Sequence, residues 1–222
     1  MFTKEDTNKV KGIAIMLLLF HHTINASVFE IYGLRSFLPL KWVVIIASQA
    51  RCCVWIFIFL SAYGMQKKLQ ATSNIGAKEY CNFVKRRWFS LMLPFFVCFL
   101  VRFCAMLLIG KDPVHGYDGN FMYILLDFFG IADLFETPML TGVHWYMCMA
   151  QILILIMPFL SYLCRKFDWL IFPLVFVLLQ YVTTGIKSQW GGTYIDYLPA
   201  AVLGVLFAQD FVFEKYTLRL KA

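Results

Sequence analysis

The sequence predicts an all-α, polytopic membrane protein built as a bundle of about six transmembrane helices. Apolar residues make up 61% of the 222-residue chain and charged residues only 15%, whereas soluble domains are about half apolar and a quarter charged. Phenylalanine alone occurs 23 times. A soluble core of this size could not bury so much apolar surface, but lipid accepts apolar side chains on the outside of a fold.

Six apolar runs approach the length of about 20 residues that a helix needs to cross a bilayer. Arg51 falls inside the longer stretch that contains the second run, and we expect it to snorkel to the outer interface. The first run is followed by no small-residue cleavage site, so it is predicted to be a retained helix rather than a signal peptide. The predicted spans are 11–29, 46–66, 88–109, 145–163, 169–186 and 195–213.

Between the third and fourth spans lies the longest predicted outer loop, 111–144, which carries one Lys and five acidic residues. Its segment 119–135 is predicted to be an interfacial helix or a re-entrant piece rather than a span. The loop is interpreted either as functional, since long loops often are, or as a solvated acidic face. One side of the segment carries Phe121, Ile124, Leu125, Phe128 and Phe129, and the other carries Asn120, Asp127 and Asp133.

The distribution of positive charge predicts the orientation, because Lys and Arg accumulate in cytoplasmic loops. With the N-terminus inside, 14 Lys and Arg residues fall on the inner side and 4 on the outer side. Both termini are therefore predicted to be cytoplasmic, and 1–222 is predicted to be a single membrane domain. The net charge of +7 is therefore explained by membrane orientation and contact with lipid headgroups. It is not taken as a sign of nucleic-acid binding. The seven cysteines show neither zinc-site spacing nor a disulfide framework.

The first predicted span, KGIAIMLLLFHHTIN, places His21 and His22 near its middle. Ionisable residues inside a membrane are costly and suggest function. At about 100° per residue, Lys11 and His22 lie on nearly the same helix face, roughly 16 Å apart along the axis. Asn25 lies close to that stripe, and His21 points about 80° away from it. The stripe is compatible with chemistry or with hydrogen bonds to neighbouring helices.

Three later segments carry further polar or aromatic motifs. CVWIFIFLSAYGMQKKL, from Cys53 to Leu69, is an aromatic-rich helix that contains Ser61 and Ala62. FVKRRWFSLMLPFF, from Phe83 to Phe96, begins with a basic cluster, which suits phosphate groups or anionic lipid. HWYMCMAQILILIMPFL, from His144 to Leu160, opens at the outer interface, where aromatic residues are common. The basic cluster is Lys85, Arg86 and Arg87, and the aromatic opening is His144, Trp145 and Tyr146.

In order and spacing, these four segments resemble the acyltransferase-3 family, bacterial membrane proteins that O-acylate surface glycans. The family's first helix carries a basic residue, a Gly and, after ten further residues, a His, which Lys11, Gly12 and His22 match. Lys11 replaces the usual Arg, Ala62 replaces a Gly, and Ser90 replaces a basic residue. The resemblance covers about residues 8–213, and family members have more spans, so the chain is expected to be the N-terminal part of the fold.

The resemblance implies transfer of an acyl group, most often acetyl, from cytoplasmic acyl-coenzyme A to a hydroxyl of a surface polysaccharide or lipid-linked sugar. It implies no metal, and it implies a location in the bacterial inner membrane. His22, with His21 beside it, would act as general base or acyl carrier. The donor phosphates would contact Lys11, Arg86 and Arg87, and the acceptor would contact His144, Trp145 and Tyr146.

Two other classes of protein remain open. The chain could be a non-catalytic membrane protein, either a transporter subunit or a degenerate acyltransferase that only binds, and Lys11, Ala62 and Ser90 favour this reading. A transporter would show interrupted helices in two related halves, and none is visible in the sequence. The other class is the membrane-sensing domain of a larger protein. Binding of coenzyme A would separate an acyltransferase from both.

Overall fold

The computed structural model describes residues 3–24, 39–70, 76–181, 187–188 and 192–209. Within these ranges the regular secondary structure is helical except for one antiparallel pair, β1 (Lys187–Ser188) and β2 (Gly192–Thr193), which confirms the predicted all-helical class. The helices in chain order are α1 (Lys4–Thr23), α2 (Leu40–Gln49), α3 (Cys52–Gln70), α4 (Ala77–Leu108), α5 (Phe121–Phe128), α6 (Trp145–Phe167), α7 (Ile171–Tyr181) and α8 (Leu198–Gln209).

Three helical stretches are long and apolar enough to cross a membrane by length and composition: Leu40–Gln70, Lys78–Leu108 and Gly142–Leu179. A shorter apolar helix covers Tyr194–Gln209. The third stretch divides at Asp168, whose φ is +49°, into α6 and α7. The ends of the predicted spans 11–29, 169–186 and 195–213 lie outside the described residues, so the count of six and the cytoplasmic termini stay predictions.

The chain divides into two compact units, Met1–Lys67 with Ala200–Ala222, and Lys68–Pro199. In the first unit α1 begins seven residues before its predicted span. Its start is a capping box, in which the Thr3 side chain accepts the Asp6 N–H and the Asp6 carboxylate accepts the Thr3 N–H. This reciprocal cap satisfies backbone donors that a helix start leaves open. A helix can therefore extend well beyond the apolar run that identifies it.

Close packing in the first unit depends on small residues. Ala14 of α1 and Ala47 of α2 are fully buried. Gly204 of α8 lies so close to α3 that an added Cβ would be 2.5 Å from the Phe59 carbonyl oxygen and 3.0 Å from the Ala62 Cβ. Ala62, which replaces a glycine of the family motif, is thus a packing residue, and the glycine that permits the close approach is on α8.

Gly204→Ala is expected to lower the free energy of unfolding by about 1–3 kcal/mol, the usual cost of overpacking, because the obstructing atoms belong to backbone. The measurement is denaturant unfolding in detergent. Gly64→Ala is the matched control, since an added Cβ there meets nothing within 4 Å and alanine suits a helix better than glycine by about 0.5–1 kcal/mol. Equal stability of both variants would contradict the close-approach interpretation.

In the second unit α4 packs one face against α5 and α6. Met92, Phe95 and Phe99 recur at helical spacing and form a buried cluster, against which Phe128 of α5 and Met147 of α6 pack. The opposite face of α4 is apolar and exposed, as a lipid-facing surface must be. That face includes Phe89, Leu93, Val97, Leu100 and Val101.

Candidate functional site

A buried carboxylate, Asp127, organises the second unit near the end of α5. Its Oδ2 accepts the Tyr117 hydroxyl at 2.5 Å and the Leu140 backbone N–H at 2.6 Å. Its Oδ1 contacts the His144 Nδ1 at 2.7 Å. The Asp127 side chain is fully buried, and a buried charge is tolerated only when donors surround it. These three donors meet that requirement.

Tyr117 is held in its protonated form by the same contacts. Burial raises the pKa of the Tyr117 hydroxyl well above its ordinary value, and the hydrogen bond to the Asp127 carboxylate raises it further. The phenol therefore stays a hydrogen-bond donor through the physiological pH range. It anchors the 3-10 turn His115–Tyr117 to α5.

His144 is enclosed by aromatic rings. Its imidazole meets Phe95 edge to face at 4.9 Å between ring centroids and lies 5.9 Å from Phe99. Only 8% of the residue is exposed. It ends the 3-10 turn Gly142–His144, directly before α6. The ring is therefore held in one orientation by packing as well as by Asp127.

A second buried acid, Asp133, accepts the hydroxyl of Tyr194. This contact joins the 3-10 turn Ala132–Phe135 to the turn Tyr194–Tyr197 that precedes α8. At the start of α6, the Trp145 ring stacks on the ring of Tyr197 from the same turn, with 5.7 Å between the ring centroids. The start of α6 is thus tied to the segment before α8 by stacking.

Gln151 of α6 links three elements. Its Oε1 accepts the indole N–H of Trp88 at 2.8 Å, and its Nε2 donates to the carbonyls of Phe129 at 2.9 Å and Gly130 at 3.2 Å. Gly130 has φ +68° and would place a Cβ 2.9 Å from that Nε2. A residue without a side chain is required there, so that the end of α5 can meet α6.

The structure corrects the interpretation of the 111–144 loop as a solvated acidic face. Asp127 and Asp133 are buried, whereas Phe121, which was placed on the apolar side, is 67% exposed. The reason is that the acids find donors elsewhere in the fold, and apolar side chains in a membrane protein need not point inward. Asp112, Asp118 and Glu136 are exposed, as predicted. With eight residues, α5 spans about 12 Å, too short to cross a bilayer.

The predicted histidines of the first unit lie near the C-terminal end of α1. The His21 Nδ1 donates to the Ala47 carbonyl of α2 at 2.9 Å, and the His21 ring lies edge to face with His22 at 5.1 Å. Lys11 and His22 are exposed and lie on one unbroken helix, so the predicted face is preserved. Asn25 lies outside the described residues.

The predicted donor-binding arginines lie in the second unit, on the first three turns of α4. Arg86 is exposed, whereas Arg87 is half-buried with its guanidinium 5.9 Å from the centroid of the Phe83 ring. The predicted site residues therefore form two groups by unit. The first unit holds Lys11, His21 and His22, and the second holds Arg86, Arg87, His144, Trp145 and Tyr146.

Sequence reasoning missed Asp127, the partner of His144, and Tyr117, which donates to Asp127. One signal was available, because Asp127 interrupts the apolar run MYILLDFF, and an acid in such a run is costly unless it is paired. The partner itself lies 17 residues away, beyond what helical spacing can indicate.

One protein family matches nearly the whole chain. The model of the acyltransferase-3 family, described as an acyltransferase domain, matches residues 8–220. No curated protein and no solved structure matches the chain.

Proposed function

Because the chain belongs to the acyltransferase-3 family, a family of membrane acyltransferases, we propose that it transfers an acyl group, in the first instance acetyl, from cytoplasmic acyl-coenzyme A to a sugar hydroxyl. The acceptor is a surface polysaccharide or a lipid-linked sugar. The observation that carries the proposal is the family match over residues 8–220. The apolar helices of the chain support the same assignment to the membrane.

The proposed topology has six spans in the bacterial inner membrane with both termini in the cytoplasm. Its support is the distribution of Lys and Arg, 14 against 4 in favour of the inner side. In this orientation Lys11 and the start of α4 face the compartment that holds the donor.

Donor binding is assigned to Arg86 and Arg87, with Lys11 as a further cation. Guanidinium groups bind phosphate oxygens in pairs of parallel hydrogen bonds, and coenzyme A offers several phosphates. Arg86 is exposed and available for such contacts, while Arg87 is packed over Phe83. Lys11 supplies a single ammonium charge and lacks the paired N–H donors of a guanidinium group.

The reacting group is assigned to His22. An imidazole can either remove the proton of the acceptor hydroxyl or carry the acyl group covalently. His21, beside it in the chain, donates through Nδ1 to the Ala47 carbonyl. On the acceptor side, His144, Trp145 and Tyr146 at the start of α6 would contact the sugar, since aromatic rings offer it an apolar face.

The test is binding of acetyl-coenzyme A to the purified protein in detergent. Arg86→Ala/Arg87→Ala is expected to weaken the Kd by at least about tenfold, because hydrogen bonds to charged groups are worth about 1.5–3 kcal/mol each. Arg165→Ala/Lys166→Ala is the matched control, since it removes the same charge from an exposed basic pair in the same unit and should leave the Kd unchanged.

Two results would count against the proposal. Equal weakening in both double variants would mean that only general electrostatic attraction is measured. Absence of binding to well-folded wild-type protein at millimolar donor would favour the non-catalytic membrane protein instead.

A further inference from the structure

The contacts of Asp127 determine which nitrogen of His144 carries a proton. The Leu140 backbone N–H can only donate, and the Tyr117 hydroxyl is held protonated, so the carboxylate acts as acceptor toward both. The His144 Nδ1, 2.7 Å from Oδ1, must then be the third donor. A neutral imidazole that is protonated on Nδ1 has its lone pair on Nε2.

That Nε2 is not committed to the fold. Within the part of the chain that the structure describes, it makes no hydrogen bond, although the residue is only 8% exposed. Nε2 is also not among the buried polar atoms that lack a partner, so it keeps some access from outside the fold.

We propose that His144 is the base that removes the proton from the acceptor hydroxyl, with Asp127 as the residue that positions it. The inference rests on the proposed acyl transfer and assigns the proton-transfer step to the second unit. A buried carboxylate that holds an imidazole through Nδ1 stabilises both the correct tautomer and the imidazolium that forms. Trp145 and Tyr146, next in the chain, provide aromatic surface for the sugar that bears the hydroxyl.

The acceptor O–H bond breaks and its proton moves to Nε2 of His144, while the oxygen forms a bond to the acyl carbonyl carbon. The bond from that carbon to its carrier breaks, and the carrier leaves with the electron pair. In direct transfer the carrier is the coenzyme A thiolate. The proton on His144 then passes to that leaving group, so the base is regenerated.

His144→Asn separates this role from a structural one. The Asn side-chain amide can place its NH2 where Nδ1 stood and still donate to Asp127, but it has no basic nitrogen. We expect this variant to keep wild-type thermal stability and acetyl-coenzyme A affinity. His115→Asn is the matched control, since it makes the same substitution at an exposed histidine of the same loop.

The activity readout compares two acceptors with acetyl-coenzyme A as donor. Water is the smallest hydroxyl acceptor and needs a base, whereas hydroxylamine attacks through a neutral nitrogen that needs none. His144→Asn is expected to slow hydrolysis by about 10²–10⁴-fold and to leave transfer to hydroxylamine within about threefold of wild type. His115→Asn should change neither rate.

Other outcomes overturn the proposal. Equal loss with both acceptors would make His144 structural, and unchanged hydrolysis would remove it from the reaction. Wild-type protein that acylates hydroxylamine but not water would have no base-dependent step. Wild-type protein that acylates neither would defeat the proposed function itself. Nitrogen NMR of labelled histidine provides an independent check, because a proton on Nε2 rather than Nδ1 of neutral His144 would also contradict the assignment.

Discussion

Asp127→Ala is expected to lower the free energy of unfolding by about 3–5 kcal/mol, because each buried donor that loses its acceptor costs about 1–3 kcal/mol. The substitution leaves three buried donors without an acceptor: the Tyr117 hydroxyl, the Leu140 N–H and the His144 Nδ1. No water is expected to replace the carboxylate fully, because the surrounding rings of Phe95 and Phe99 are apolar. The measurement is denaturant unfolding in detergent, followed by tryptophan fluorescence.

A matched pair of amide substitutions isolates burial from charge. Asp127→Asn and Asp118→Asn each remove one carboxylate from the same loop, but Asp118 is exposed. Asp118 also has φ +54°, which asparagine tolerates well. Asp127→Asn should be destabilising because its amide nitrogen opposes a donor, while Asp118→Asn should stay within about 0.5 kcal/mol of wild type. Similar stability of the two variants would mean that the Asp127 network does not hold the loop.

The parts of the fold that depend on local sequence could be predicted. Composition and apolar runs indicate a helical membrane protein, because lipid forces backbone hydrogen bonds to be satisfied within each helix. The Lys11–His22 face also depends only on helical geometry, and α1 is unbroken between them. The first residue of a helix is harder to predict. An apolar run shows which residues contact the membrane, but the helix itself can begin several residues earlier. Thus α1 begins next to its Thr3 cap, seven residues before the predicted span, and α4 begins at Ala77, eleven residues before its span and without a side-chain cap.

The parts that depend on distant residues could not be predicted from one sequence. Asp133 meets Tyr194 across 61 positions, and Gly204 meets Phe59 and Ala62 from the other end of the chain. Periodicity carries no information about such pairs. At α5 it left open whether the polar side was functional or solvated, because in a membrane protein the polar face of a helix can be the buried one, as it is at Asp127.

His22→Ala is expected to abolish measurable acyl transfer, because with proton removal assigned to His144 the role left to His22 is to carry the acyl group. Binding of acetyl-coenzyme A should be unchanged, because the phosphates are assigned to Arg86 and Arg87. Stability should also hold, since His22 is exposed. The measurement is release of coenzyme A by purified protein, with donor binding measured on the same samples.

Thr23→Ala is the control for His22→Ala, because it alters the next exposed position of α1 and removes only a side-chain hydrogen bond to the Leu19 carbonyl. It should retain wild-type transfer. Full transfer by His22→Ala would exclude His22 from both roles and would leave His144 as the remaining candidate base.

The two roles of His22 predict different products when no acceptor is present. A covalent carrier should accumulate an acyl group on His22, which mass spectrometry would locate on the peptide and hydroxylamine would remove. A general base should show no such adduct at any donor concentration. If the adduct forms in wild type and also in His144→Asn, then acylation of His22 precedes the step assigned to His144.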